Sequence, residues 1–357
     1  MLLININLIK KSLIVLFSIV WIVVVAEVFL MVFSPKPMLP RYIMGTDYGI
    51  RGNMPNQEYT HKTPDYTVGI KTNSHGIRAN QEIDYAKSAT TKRVVVLGDS
   101  FGMGYGVNIE DTFLTVLENS LESKGIDVEI VNLSVSGHGN AEELIKLQNE
   151  GLKYSPDLVL LSWHKTDIDD NVRSQLFKFD EISGQLVRKN DQYLPGVKLR
   201  EYLFSFTIYR WMAGNSHFYN WIREFISYNT RNILAYFRTE KINSNKTSDS
   251  GHENNKKLTV SILSKMQDLA RANNSEFLIL DVPERLSRDS FISRFPRNNL
   301  GKAYSFNVVS PIDEFYKHKG ELLYWEQSHG HFTPLGCQLV GDLLASRIIE
   351  LGIFKNN

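Results

Sequence analysis

The feature that most restricts the fold is a short aliphatic segment that ends in a glycine, an aspartate and a serine. Val94–Leu97 is an unbroken run of β-branched and aliphatic side chains, which predicts a strand buried on both faces of a sheet. Gly98-Asp99-Ser100 ends the run, and a glycine-rich loop follows. Open α/β sheets bind ligands beyond the carboxyl ends of their strands, so Ser100 is predicted to lie at a binding edge. The alternative is an ordinary turn in which Asp99 and Ser100 only cap the next helix.

The segments after this strand alternate between short apolar runs and longer runs with helical periodicity. Strands are predicted at Val94–Leu97, Val128–Leu133, Leu158–Leu161, Phe277–Leu280 and Phe306–Val309. Helices are predicted at Asp111–Lys124, Ala141–Leu152, Leu258–Asn273 and Leu335–Glu350, with Asp111-Thr112 as the cap of the first. This alternation predicts an α/β fold with a parallel, doubly wound sheet.

The composition excludes several other classes of protein. With 43% hydrophobic and 22% charged residues, the 357-residue chain has an ordinary globular composition. The net charge of +1 gives no electrostatic reason to expect nucleic acid as a partner. The single cysteine, Cys337, excludes an intramolecular disulfide and a cysteine-rich metal site, and its apolar helical surroundings predict a core position.

The N-terminal region contains an apolar run long enough to cross a membrane. Ser12–Phe33 carries one charge, Glu27, and its 22 residues span about 33 Å at about 1.5 Å per residue. Lys10 and Lys11 precede the run, so the positive-inside rule predicts a cytoplasmic N-terminus and a periplasmic or otherwise extracytoplasmic remainder. A cleaved signal peptide is the alternative, but the run is long for one and no A-x-A-like site follows it.

These features divide the chain into three predicted parts. Residues 1–33 are a cytoplasmic tip and transmembrane anchor, and residues 34–92 are a stalk and an irregular polar segment. Residues 93–357 are the α/β domain, with an aromatic-rich insertion at about 172–257. The insertion is expected to be a helical subdomain packed on its own rings; a lid over the site and a surface resting on a membrane are the alternatives. Its end, Lys241–Lys257, is polar and is predicted to be a disordered loop.

Three further polar stretches follow or flank predicted elements of the sheet. SVSGHGN at 134–140 follows the second strand, WHKTD at 163–167 follows the third, and SHGHFTPLG at 328–336 leads into the last helix. Because a parallel sheet brings the carboxyl ends of its strands to one edge, these stretches are expected to lie near Ser100.

Together these four stretches resemble the sequence blocks of the SGNH, or GDSL-like, hydrolase family of esterases. They look most like its membrane-anchored bacterial branch, whose catalytic domain is flavodoxin-like. GDS with FGMGYGV and EDTF matches the first block, SGHGNAEEL the second and HGHFTPLG the last, and PDLVLLSWHKTDIDDN has the shape of the third. The match covers about 93–171 and 276–350. The resemblance implies a three-layer α/β/α domain that needs no cofactor.

The resemblance also implies roles for individual residues. Ser100 would be the nucleophile, His331 the general base, and the backbone N–H groups of Ser100 and Gly137 oxyanion donors. The chemistry is consistent with these roles, because a serine hydroxyl is a poor nucleophile until a base such as histidine takes its proton. Each fixed donor to the developing oxyanion raises the rate by about a hundred- to a thousandfold.

Two of the blocks depart from the family pattern. The third normally reads Gly-x-Asn-Asp and supplies an asparagine as an oxyanion donor, but residues 164–167 read HKTD. Thr166 is therefore the predicted donor, through a hydroxyl with a shorter reach. The last block normally has an aspartate two or three residues before the histidine, where this chain has His329 and Ser328. In a triad, the loss of the acid that orients the histidine lowers turnover by about 10⁴-fold.

Glu326, five residues before His331, is a candidate substitute for this acid. A backbone carbonyl that fixes the tautomer is the alternative, and Glu326 would then be a solvated loop carboxylate. No metal is expected, because the histidines lack the spacing and the carboxylate neighbours of a metal site. His329 is either an exposed loop residue or a second base. Five residues near the same edge are candidate substrate contacts: Asp99, His138, His164, Asp167 and His329.

The sequence therefore predicts a membrane-anchored serine esterase acting on acyl esters, with O-acetyl groups on carbohydrate as one substrate class. An acyltransferase acting on cell-surface polysaccharide is one alternative. A non-catalytic binding or scaffold protein with the same fold is another, suggested by the altered third and last blocks. A lipid-active enzyme that uses the insertion as a lid is a third. The expected partners are the ester substrate and the membrane.

Overall fold

The computed structural model describes residues 6–36, 38, 42–226, 229, 248–297, 305–328 and 330–354, which fall into two compact units. The larger unit comprises Tyr42–Thr60, Val68–Glu201 and Thr247–Asn357. The smaller unit comprises Met1–Arg41, His61–Thr67 and Tyr202–Lys246.

The described elements are named here in chain order. The strands are β1 (Ile43–Gly45), β2 (Arg51–Asn53), β3 (Glu58–Lys62), β4 (Thr67–Lys71), β5 (Lys92–Gly98), β6 (Val128–Asn132), β7 (Leu158–Trp163), β8 (Phe177–Asp180), β9 (Gln185–Arg188), β10 (Glu276–Asp281), β11 (Glu284–Ser287), β12 (Ser290–Ile292) and β13 (Asn307–Val309). The helices are α1 (Ile6–Phe33), α2 (Phe113–Glu122), α3 (Asn140–Asn149), α4 (Thr166–Ser174), α5 (Val197–Phe204), α6 (Thr207–Asn215), α7 (217–226), α8 (Ser248–Ala272), α9 (Ile312–Lys317) and α10 (Pro334–Glu350).

A parallel sheet organises the larger unit. Its strands lie in the order β13-β10-β7-β5-β6, and every neighbouring pair is parallel. Numbered along the chain, this is the 2-1-3-4-5 order of flavodoxin-like folds, so the predicted α/β fold is confirmed. The strand order reverses at β5: the chain continues from β5 to α2 on one face of the sheet and from β7 to α8 on the other face. This switch point is where doubly wound sheets bind their ligands.

The burial of the central strand β5 on both faces explains its continuous apolar sequence. Val95 and Leu97 belong to the core formed with α3 and α8, whereas Val94 and Val96 belong to the core formed with α2 and α10. All four side chains are fully buried. A strand covered by helices on both faces has no polar side, so its sequence is continuous rather than alternating.

Two segments of the larger unit differ from the prediction. Residues 42–92 were expected to be irregular, but β1 and β2 pair antiparallel from Ile43 to Asn53, and β3 and β4 form another two-stranded sheet. The insertion was expected to be helical, but it begins with the antiparallel β8–β9 hairpin. Strands of three to five residues contain too few side chains for a period of two to be recognised.

The predicted disordered loop Lys241–Lys257 is wrong for its second half. Residues 241–247 lie outside the described residues, but 248–257 form the first turns of the 25-residue helix α8. Residues from Leu258 onward contribute buried side chains to the core. A packed helix of this length can extend through polar residues, because adding a turn to an existing helix costs far less than starting one.

The smaller unit contains α1, α6 and α7. Lys10–Phe33 within α1 is long enough to cross a membrane, and it contains an 18-residue window with a mean hydropathy of 2.9, of which 0% is buried. Aromatic rings of the insertion contact one another as predicted, with the ring centroids of Tyr209 and Tyr219 5.5 Å apart. Trp211 and Phe225 nevertheless remain exposed.

Candidate active site

Ser100 lies directly beyond the carboxyl end of β5, in a turn that has little room for side chains. A Cβ on Gly98 would lie 2.9 Å from the Ser162 Cβ on β7, and one on Gly102 would lie 2.5 Å from the Ser134 Oγ. The Phe101 N–H donates to the Asp99 carboxylate over 2.8 Å. The glycines are therefore required by the close approach of neighbouring loops, and the turn holds Ser100 at the switch point.

His331 is held at the tip of a short paired segment before α10. Tyr324 and Phe332 form an antiparallel bridge, and the Trp325 N–H donates to the His331 carbonyl over 2.8 Å. The Trp325 indole N–H donates to the Gly106 carbonyl over 2.9 Å, which fastens this segment to the glycine-rich loop after Ser100. Residues far apart in sequence are thereby fixed on both sides of the same cleft.

The structure brings Ser100 and His331 into hydrogen-bond distance. His331 Nε2 lies 2.8 Å from Ser100 Oγ, close enough for direct proton transfer. His331 is buried, and its ring centroid lies 5.0 Å from that of Phe101 and 5.4 Å from that of Tyr105. The two aromatic rings therefore fix the plane of the imidazole.

The loop after β6, which carries Gly137, is held by contacts with the N-terminal strand β2. Gly137 has a φ of +80°, a conformation that favours glycine. Its carbonyl accepts a hydrogen bond from the Arg51 guanidinium, which also pairs with Glu142 at 2.9 and 2.7 Å. His138 Nε2 lies 2.9 Å from the Arg51 carbonyl oxygen. Arg51 thus holds the predicted oxyanion loop where it leads into α3.

Arg51 was not predicted as part of the site from the sequence, and neither was Arg78. The Arg78 guanidinium is buried beneath the glycine-rich loop. It donates to the carbonyls of Met103 at 2.9 Å, Val107 at 2.7 Å and Gly104. Both arginines lie in the polar segment before the first long strand, where no periodicity or motif distinguishes them from surface residues.

The structure places Thr166 and His164 beside each other at the end of β7. The exposed Thr166 hydroxyl lies 2.9 Å from His164 Nδ1, and its use as an oxyanion donor stays a prediction. Burial, together with the charge of Lys165, lowers the pKa of His164 to about 4. Its neutral ring lies 4.9 Å, between centroids, from Phe101, the same ring that packs against His331.

The other predicted substrate contacts have different surroundings. His138 is buried, and burial with the nearby Arg51 charge lowers its pKa well below the ordinary value. Asp99 and Asp167 are also buried and accept backbone hydrogen bonds, so contact of any of the three with a substrate stays a prediction. His329 lies outside the described residues.

Glu326 is exposed and, in the described part of the chain, forms no ion pair with His331. Its role as an orienting acid therefore stays a prediction. Within the same residues, no group of three or more His, Cys, Asp or Glu side chains is arranged to hold a metal ion.

Three buried carboxyl groups lie together behind the serine turn. The Asn140 amide donates to Glu143 at 2.8 Å and to Asp167 at 3.0 Å, and Asp99 is close enough to interact electrostatically with both. Burial raises the pKa of Asp99 to about 7. Burial and the neighbouring carboxylates also raise the pKa values of Glu143 and Asp167 well above the ordinary range.

These raised pKa values predict a fold that loses stability as the pH rises. A carboxyl group with a raised folded-state pKa contributes its full stabilisation below the unfolded pKa, and this is lost as the pH rises through the folded pKa. For Asp99 the interval runs from 3.8 to about 7. We expect the free energy of unfolding to fall between pH 5 and pH 8, and Asp99→Asn to reduce that fall by an amount on the order of 1 kcal/mol or more.

Denaturant unfolding of the full chain in detergent at the two pH values measures this effect. Asp84→Asn, at an exposed carboxyl, is the matched control and should leave the pH dependence unchanged. An Asp99→Asn protein with the wild-type pH dependence would contradict the prediction.

The fold and the site together define a class: an α/β protein of flavodoxin-like strand order with a serine–histidine pair at the carboxyl edge of its sheet. No family model matches the chain. An arylesterase from Vibrio mimicus is 34% identical over 82 residues, which are 23% of this chain and 41% of that protein. The chain thus matches about two fifths of the length of this curated relative.

Several solved structures are similar to this chain at low identity. An acetyl xylan esterase has a TM-score of 0.39 at 11% identity, covering 72% of this chain and 99% of its own. A GDSL-like lipase from Bacteroides thetaiotaomicron has a TM-score of 0.35 at 13% identity, covering 73% and 89%. A lipase/acylhydrolase from Enterococcus faecalis has a TM-score of 0.37 at 13% identity, covering 73% and 96%.

Proposed function

We propose that this protein is a membrane-anchored serine esterase of the SGNH, or GDSL-like, type. The observation that carries the proposal is the 2.8 Å separation of Ser100 Oγ and His331 Nε2 at the switch point of the sheet. The short similarity to the arylesterase from Vibrio mimicus supports an ester as the substrate. Acyl esters, including O-acetyl groups on carbohydrate, are the proposed substrate class.

In the proposed reaction, His331 Nε2 takes the Ser100 hydroxyl proton while the serine oxygen attacks the ester carbonyl carbon. The carbonyl oxygen gains the negative charge and is stabilised by the N–H groups of Ser100 and Gly137, and by the Thr166 hydroxyl. His331 then returns the proton to the departing alcohol, which leaves an acyl group on Ser100. Water, activated by the same histidine, releases the acid and regenerates the serine.

The anchor and its orientation are part of the proposal. Helix α1 has the length and hydropathy of a membrane span, and Lys10 and Lys11 lie at its N-terminal end. By the positive-inside rule, this end faces the cytoplasm and the catalytic domain faces the periplasm or the cell exterior.

Labelling and turnover of the full-length protein in detergent test the catalytic proposal. We expect wild type to hydrolyse p-nitrophenyl acetate and to react with a fluorophosphonate probe, and Ser100→Ala to lose both without loss of fold. Ser183→Ala, in the exposed β8–β9 turn, is the matched control and should retain both. If wild type shows neither, the esterase proposal fails and a non-catalytic binding protein takes its place. Acylation of an added oligosaccharide in preference to release of free acid would instead indicate an acyltransferase.

A further inference from the structure

The one charged side chain within the apolar part of α1 is joined to the start of a second helix. Glu27 Oε1 accepts a hydrogen bond from the His217 N–H over 2.6 Å. Glu27 Oε2 accepts from the Ser216 hydroxyl over 2.7 Å and from the Phe218 N–H over 2.9 Å. These are among the N–H groups at the start of α7 that have no partner within the helix. Glu27 therefore acts as the N-terminal cap of α7.

If α1 crosses a membrane, the hydrogen bonds of Glu27 fix the depth at which α7 begins. Glu27 lies six residues before the end of α1 at Phe33, which corresponds to about 9 Å along the helix axis. The hydrocarbon core of a bilayer is about 30 Å thick and cannot hydrogen-bond a carboxylate or an N–H group. The Glu27 carboxylate and the N–H groups of α7 are hydrogen-bonded to each other, so neither is left without a partner near lipid. The same hydrogen bonds place the first turn of α7 at the depth of Glu27.

The side chains around the joint are apolar. Phe218 and Trp221 of α7 line a groove with residues of α1, among them Trp21, Val25 and Phe29. The polar side chains in the first turn of α7 are also hydrogen-bonded: His217 Nδ1 accepts from the Lys36 N–H over 2.9 Å, and the Asn220 amide donates to the Ser216 carbonyl over 2.8 Å. A helix start of this composition is compatible with the outer part of a bilayer, where tryptophan side chains are enriched.

The exposed faces of α6 and α7 are also apolar. In a soluble protein these faces would contact water, which is unfavourable for apolar side chains. Four large side chains are more than half exposed: Ile208, Trp211, Phe225 and Ile226. Arg210 of α6 is exposed as well. An exposed apolar face with a basic residue beside it is typical of helices that lie in the membrane interface.

We propose that α6 and α7 (207–226) lie in the outer interface of the membrane that α1 spans, with Ile208, Trp211, Phe225 and Ile226 in contact with lipid. The inference rests on the proposed anchor and goes beyond it, because it assigns the insertion to the bilayer rather than to the substrate cleft. Because Glu27 of α1 is hydrogen-bonded to the start of α7, the anchor and the insertion would enter the membrane together.

Spin labels on the full-length protein in phosphatidylcholine–phosphatidylglycerol vesicles test the proposal. Single cysteines replace Trp211 or Phe225, and Leu16→Cys in α1 and Ser183→Cys in the β8–β9 turn are the lipid and water controls. The native Cys337 is buried, so the unsubstituted chain should remain unlabelled. We expect labels at 211, 225 and 16 to collide more with oxygen, which concentrates in lipid, and the label at 183 more with a water-soluble nickel chelate.

The outcomes separate this inference from the anchor proposal. If the label at 16 is in lipid but those at 211 and 225 are in water, the inference fails and the anchor stands. If both reagents are excluded at 211 and 225, another protein surface covers α6 and α7, and the inference also fails. If the label at 16 is in water, the anchor itself is wrong and the inference falls with it. Ile208→Cys replaces either insertion variant that does not fold.

Discussion

Replacing His331 with alanine is expected to lower kcat for p-nitrophenyl acetate by about 10⁴- to 10⁶-fold, the range seen when the base of a serine hydrolase is removed. The reason is geometric, because in this site His331 Nε2 is the group 2.8 Å from Ser100 Oγ that can take its proton. Stopped-flow measurement of acylation separates this loss from any change in substrate binding.

The same variant also removes a ring packed against Phe101 and Tyr105, so its folding must be measured alongside its activity. Circular dichroism and the unfolding midpoint provide this check. His318→Ala, which removes a histidine at the end of α9 that pairs with Glu314 and Glu321, is the matched control and should retain wild-type turnover. Retention of more than a tenth of wild-type turnover by a folded His331→Ala protein would exclude His331 as the base.

Glu326→Gln, measured in parallel, tests the proposed orienting acid. Unchanged turnover in this variant would exclude Glu326 from the mechanism.

Arg78→Lys is expected to lower the free energy of unfolding by about 3–5 kcal/mol, although the positive charge is conserved. The guanidinium reaches the carbonyls of Met103, Gly104 and Val107 with two of its nitrogens, and an ammonium is a single point donor that cannot reach all of them. Buried carbonyls left without a partner each cost about 1–3 kcal/mol. Because these carbonyls belong to the loop that follows Ser100, esterase activity should fall as well.

The midpoint of denaturant unfolding measures this effect. Arg271→Lys, at an exposed position near the end of α8, is the matched control and should change stability by less than about 0.5 kcal/mol. If Arg78→Lys lowers the free energy of unfolding by less than about 1 kcal/mol, water or neighbouring groups replace the lost donors and the prediction is wrong.

The sheet was predictable because each of its long strands is a local signal. Val94–Leu97 lies within the observed β5, and Leu158–Leu161 lies within β7. Burial on both faces requires continuous apolar runs, and turn residues end or precede them: Gly98 follows the first, and Pro156-Asp157 precedes the second. Thr112 was predictable as the N-cap of α2 for the same reason. Its side chain accepts a hydrogen bond from the Thr115 N–H, only three residues further along the chain, so the signal is local.

The supports of the site were not predictable, because they depend on pairs far apart in the chain. Arg51 meets Glu142 across 91 positions, and Arg78 meets Met103 across 25. An isolated arginine in a polar segment has the same local pattern whether it is solvated or buried against carbonyls. The raised pKa of Asp99 likewise follows from burial and from the carboxyl group of Asp170 on α4, which no local motif encodes.

The two arginines also determine where the proposed catalytic domain can be separated from the proposed anchor. A fragment that began at Arg93 would keep every strand of the parallel sheet and every residue of the proposed reaction. It would lack the guanidinium groups of Arg51 and Arg78, and with them the restraints on the loops that carry Gly137 and follow Ser100. A fragment that retains both restraints must therefore include Arg51, and one that begins at Tyr42 includes the first segment of the larger unit in full.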